Sequence, residues 1–170
     1  MIEKSYSMKK LLLLQGEVCQ QMRFVISGIA RTYFIDPDGK EFTWSIHYSN
    51  PQLLEKNLFL LDYHSFLTQT PSKLYIEAIT DIKVLEMDNN FILSLYEKSK
   101  YWNQVGRIIT ENVYLYTHNR TFSLLTLSAK ERYKTLCKEE PLLMSIIPQH
   151  YLATYLGITP ESLSRLKKSS

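Results

Sequence analysis

Apolar and polar positions alternate over much of the first half of the chain and recur three or four apart in the second half. Phe24-Val25-Ile26 leads into Gly28, and Ala30 to Ile35 is β-branched and aromatic, so strands are expected across 17–48. Asp36-Pro37-Asp38-Gly39 has the composition of a hairpin turn. Phe42-Thr43-Trp44-Ser45-Ile46 then alternates large apolar and small polar residues, as a half-buried return strand does. A second pair, Leu74 to Ala78 and Lys83 to Met87, flanks a turn at Thr80-Asp81. Short strands at this spacing predict a small barrel or roll.

After Met87 the period changes. Asp88 is placed to cap a short helix through Phe91, Leu95 and Tyr96. From Lys100 to Leu127 there is no Pro, and Trp102, Val105, Ile109, Asn112 and Tyr116 fall three or four apart, with Ile108, Val113 and Leu115 beside them. A helix of this length spans roughly 42 Å, longer than a small domain is wide. Its stripe is therefore expected to pack on the same helix of a second subunit, with Asn112 fixing the register as a buried Asn does in coiled coils.

Ser128-Ala129-Lys130-Glu131 is a capping box that starts a new helix, Ala129 to about Glu139, and Pro141 is expected to close it. The twenty residues Gln149 to Lys168 read as a helix-turn-helix. Ala153 is small where a second helix must cross, and Gly157 stands at the turn. Leu152, Leu156, Ile158, Leu163 and Leu166 take the packing positions, and Thr159-Pro160 supplies an N-cap and a first helical residue. Glu161, Ser164 and Arg165 then face outward with the chemistry to read base edges: Arg for guanine, Glu for cytosine N4, Ser for either role. His150, Tyr151, Thr159, Ser162, Lys167 and Lys168 are placed for the DNA backbone.

Charge sharpens this picture. Residues 1–127 hold thirteen basic and thirteen acidic side chains, whereas residues 128–170 hold seven against four, so the whole net charge of +3 lies in the last quarter. A basic terminal module suits a polyanion. Five scattered glycines make neither GxGxxG nor a P-loop, which removes most nucleotide-dependent enzymes. His47, His64, His118 and His150 are too dispersed for a metal oxygenase, and Cys19 and Cys137 support neither a disulfide framework nor an iron–sulfur cluster. No enzyme, cofactor or metal is expected. The longest aliphatic run, Leu11 to Leu14, is too short to span a bilayer or, ended by Gln15-Gly16-Glu17, to serve as a signal sequence, so a cytoplasmic protein is expected.

The β-roll, the long helix and the terminal Leu-Gly-Ile-Thr-Pro-Glu-Ser-Leu-Ser-Arg-Leu together resemble the Crp/Fnr transcription regulators over nearly the whole chain, most closely the short Bacteroidetes-type members. Gly16-Glu17-Val18-Cys19, Phe24 to Gly28, Ser65-Phe66, Pro71-Ser72 and Ala129 to Tyr133 carry the likeness locally. The resemblance implies an α+β protein: an antiparallel cyclic-nucleotide-binding-like β-roll over 1–99, a dimerisation helix over 100–127, and a helix-turn-helix DNA-binding domain over 128–170. It implies a homodimer on a palindromic double-stranded DNA site, with RNA polymerase as a further partner, and Glu161, Ser164 and Arg165 matching the base-reading residues of Fnr-type recognition helices. Three features depart from the family: its N-terminal helical segment is nearly missing, no wing hairpin follows the recognition helix, and the phosphate cassette is altered. The cassette's Gly falls at Leu61, its acidic residue at Asp62, and its phosphate-clamping Arg at Pro71 or Ser72, so no response to cyclic AMP is expected. Asp62, Ser65, Phe66, Ser72 and Tyr75 are the candidate lining of any effector pocket. The alternative is a small-ligand or protein-interaction module on a β-roll that does not read DNA.

Overall fold

The computed structural model describes residues 1–49 and 58–168. Among the described residues eight strands run β1 (Ile2–Tyr6), β2 (Leu11–Leu13), β3 (Gln21–Ser27), β4 (Ile29–Ile35), β5 (Glu41–Tyr48), β6 (Phe59–Leu60), β7 (Tyr75–Ala78) and β8 (Ile82–Asp88). The helices are α1 (Tyr63–Thr68), α2 (Asn89–Lys98), α3 (Lys100–Thr126), α4 (Ala129–Glu139), α5 (Pro141–Ile146), α6 (Gln149–Leu156) and α7 (Pro160–Lys168). The strands form two four-stranded sheets, ordered β1-β8-β3-β6 and β2-β7-β4-β5. The chain divides into two compact units: Met1–Phe34 with Trp44–Tyr114, and Ile35–Thr43 with Leu115–Ser170.

In the first unit the period-2 pattern sets the core. Ala30 lies opposite Ala78 and Thr32 opposite Ile76, and Val25 lies opposite Val84; all six are buried. Because directly opposed residues share a sheet face, each pairing puts both side chains into one interior. Leu60, Phe66 and Ile92 join the same cluster. Two strands open before the expected start of the sheet at residue 17, and β1 pairs along its whole length with β8. Arg23 and Glu86, also opposed, are both buried. The Glu86 carboxylate accepts from Arg23 Nε at 2.6 Å and Tyr6 Oη at 2.6 Å, and Lys4 Nζ approaches it at 2.7 Å. Burial pushes its pKa up, but these three donors outweigh burial and hold it below the ordinary carboxylate value.

Asp88 caps α2 through the Phe91 N–H. The single glycine inside α3, Gly106, lies under the Tyr96 ring of α2: a Cβ there would come within 2.7 Å of the ring carbons, so a larger residue would have to displace that ring.

In the second unit, Ser128 and Glu131 form the reciprocal capping box at the start of α4. Pro141 both ends that helical run and begins α5 at its first position, where a missing N–H costs nothing. Two arginines bind the unit together. Arg120 is buried, lies 3.7 Å over the Tyr155 ring and donates to the Tyr155 and Thr43 carbonyls. Arg132 donates through Nε and Nη2 to Leu156 O at 3.2 and 2.9 Å and through Nη1 to Leu127 O at 2.5 Å. These carbonyls end α6 and follow α3, where helices leave acceptors unfilled. The Tyr155 hydroxyl, 3.1 Å from that of Tyr116, is pushed well above its ordinary pKa by burial.

Candidate nucleic-acid interface

α6 and α7 pack through the positions the sequence nominated: Leu152, Ala153, Leu156 and Leu163 are buried, and Ile158 and Leu166 are half-buried. Gly157 ends α6 at φ +69°, a left-handed conformation that costs a side chain free energy. Its N–H and that of Ile158 satisfy the Thr154 and Ala153 carbonyls at 3.2 and 3.0 Å. Thr159 Oγ1 accepts from the Ser162 N–H at 3.2 Å and so caps α7.

With the leucine face turned inward, Glu161, Ser164, Arg165 and Lys168 are left exposed at spacings of three and four, on one side of α7. Glu161 sits in the first turn, where its own backbone N–H and the Thr159 hydroxyl lower its pKa, so near pH 7 it is an acceptor only. Lys167, Thr159 and His150 are also exposed. Tyr151 and Ser162 are half-buried, and the His150 and Tyr151 rings lie 3.8 Å apart.

Along α3, the stripe read from the sequence divides. Val105, Ile109, Asn112 and Tyr116 are half-buried within one chain, whereas Trp102 is exposed. Beside them a second apolar set stands open to solvent at seven-residue steps: Tyr101 (65% exposed), Ile108 (44%), Leu115 (54%) and Phe122 (62%), followed by Leu125 (81%). Seven residues are close to two helical turns, so this set forms one continuous seam.

In the first unit the structure brings together Asp62, Ser65 and Ser72, all buried. Asp62 caps α1: its Oδ1 accepts from the His64 and Ser65 amides at 3.0 and 3.3 Å, while its Oδ2 accepts from Ser72 Oγ at 2.7 Å. Ser65 Oγ accepts from the Cys19 N–H at 2.9 Å and donates to Thr70 O at 2.6 Å. Phe66 is buried in the core cluster. Tyr75 is half-buried and stacks on Tyr33 at 5.1 Å. Among the described residues no cluster of His, Cys, Asp or Glu could hold a metal, and no helix is long and apolar enough to cross a membrane.

The profile of the cyclic nucleotide-binding domain matches residues 3–99, more than half of the chain. The chain belongs to that family. No curated protein matches it by sequence. Among solved structures this cyclic nucleotide-binding-domain protein is similar to FixK2 from Bradyrhizobium japonicum, with TM-score 0.81 and 18% identity over 99% of this chain and 83% of that one. It is also similar to the c-di-GMP-responsive global regulator CLP of Xanthomonas campestris, with TM-score 0.72 and 17% identity over 99% and 85% of the two chains. A CRP/FNR-family transcriptional regulator from Thermus thermophilus aligns with TM-score 0.69 and 16% identity over 99% and 84%. The fold is thus the α+β Crp/Fnr fold expected from the sequence.

Within this family member, sequence reasoning missed Arg120 and Arg132, since an arginine on a helix reads as solvated surface. It also missed the Asp62–Ser72 contact, whose partners are ten residues apart in no regular element.

Proposed function

We propose that the protein is a sequence-specific, DNA-binding transcription regulator that acts in the cytoplasm as a homodimer on a palindromic site. The observation that carries this reading is α7, which turns Leu163 and Leu166 inward and Glu161, Ser164, Arg165 and Lys168 outward as one set. Arg165 pairs with a guanine and Glu161 with a cytosine in each half-site, Ser164 adds a third base contact, and Lys167, Lys168, Thr159, His150 and Tyr151 serve phosphates. The exposed seam of α3 seats a second copy of the chain, with Trp102, Val105, Ile109, Asn112 and Tyr116 on its shoulder, so that two recognition helices enter successive major grooves.

No response to cyclic nucleotides is part of the proposal. Leu61 stands where a close backbone approach needs Gly, and no Arg stands at 71 or 72. The donors near Asp62 are already occupied by its own carboxylate. Operator selection from random DNA tests the whole reading, and a palindrome is the expected product. On that operator Arg165→Ala should cost about 1–3 kcal/mol per half-site and relax one base pair. Lys168→Ala should weaken all sequences alike and reduce the salt dependence. Equal losses on specific and scrambled sites for both variants would leave only non-specific binding.

A further inference from the structure

Ser162 is half-buried on the flank of α7, one turn before Arg165. Its N–H donates to Thr159 Oγ1 at 3.2 Å, and its Oγ accepts the Thr159 hydroxyl at 3.2 Å. The same Oγ accepts Arg165 Nη2 at 3.3 Å. The guanidinium of the exposed Arg165 is thus joined through Ser162 to the cap of its own helix. Arg has many rotamers to lose on binding, and holding its planar fork near a bound orientation lowers the cost of a bidentate contact.

We propose that Ser162 is a positioning residue that sets the base preference of Arg165, instead of a phosphate contact. The proposal rests on the reading of Arg165 as a base contact. Serine at the third position of α7 leaves the fold tolerant of change, because alanine suits a helix at least as well.

The test uses the full-length protein, its selected operator, and the same operator with the Arg165-contacted base pair replaced. Ser162→Ala should reduce the ratio of the two affinities about three- to tenfold, the range of one net hydrogen bond, with the salt slope unchanged. Ser162→Thr keeps the hydroxyl and should restore the ratio. In an Arg165→Ala background, Ser162→Ala should change nothing. Uniform weakening of both sequences by Ser162→Ala in either background would identify a phosphate contact and overturn the proposal. Loss of discrimination in Arg165→Ala but not in Ser162→Ala would overturn the proposal while sparing Arg165 as a base reader. Undiminished discrimination in Arg165→Ala would remove the base reading itself, and the positioning role with it.

Discussion

Replacing Arg132 should loosen the helical unit around α6 while leaving the sheets intact. Its guanidinium serves two backbone acceptors, Leu156 O with two donors and Leu127 O with one. Leu156 is 1% exposed, so water cannot readily replace the lost donors there, whereas the half-buried Leu127 can be solvated. A hydrogen bond from a charged donor contributes about 1.5–3 kcal/mol. Counting Leu156 O in full and Leu127 O little, because the guanidinium itself is only half-buried, gives a cost of about 2 kcal/mol for Arg132→Met, which keeps the packing of the stem. By native-state hydrogen exchange, that is roughly 30-fold faster opening of α4, α6 and α7. Peptides from β3 and β8 should exchange as in the parent protein. Arg132→Lys keeps the charge but cannot fork between two carbonyls, and should recover less than half of the loss. Unchanged protection of α6 in the Met variant, or full recovery by Lys, would refute the argument from the fork.

Three further outcomes are expected. Leu115→Glu, which places a charge in the exposed seam of α3, should weaken self-association by several kcal/mol, read as a shift toward monomer by light scattering; a monomeric parent protein would remove the dimer and the palindrome together. Calorimetry with cyclic AMP and cyclic GMP near millimolar concentration should be silent, and one-to-one heat would contradict the account of the cassette. The depressed pKa of Glu86 makes its contribution to stability complete above the unfolded carboxylate value of about 4.3 and lost as pH falls through the folded value. Tryptophan-monitored urea unfolding should therefore show Glu86→Gln to be less stable by about 2 kcal/mol at pH 7, a gap that closes as pH falls through the depressed folded value.

The α6–α7 pair and its turn were legible because every local signal agreed there: the small residue at the crossing, Gly157, the Thr159-Pro160 start and the leucine spacing. The Ser128 box and the Asp36 to Gly39 turn were legible for the same reason. β1 was not, because an edge strand of sequence Ile-Glu-Lys-Ser-Tyr, mostly exposed, carries no hydrophobic alternation. α5 was hidden because Pro141 is equally a terminator and a first helical residue. On α3 the period announced the helix but not its orientation. Apolar residues occupy adjacent sectors, and only three-dimensional packing shows that Ile109 and Tyr116 turn partly inward while Ile108 and Leu115 stay open. The surroundings of Asp62 depend on Ser72 returning to it across α1 and the turn that follows, which no local pattern encodes.

That closure gives the roll an anion of its own. The Asp62 carboxylate is part of the chain, so it is present once per molecule at any dilution, and releasing it returns nothing to solution. A tethered group acts on its neighbours at an effective concentration of millimolar or above, and here the Ser72 hydroxyl and two amides meet it inside a buried setting. A diffusing phosphate would have to displace that tether, and not water, to reach the same donors.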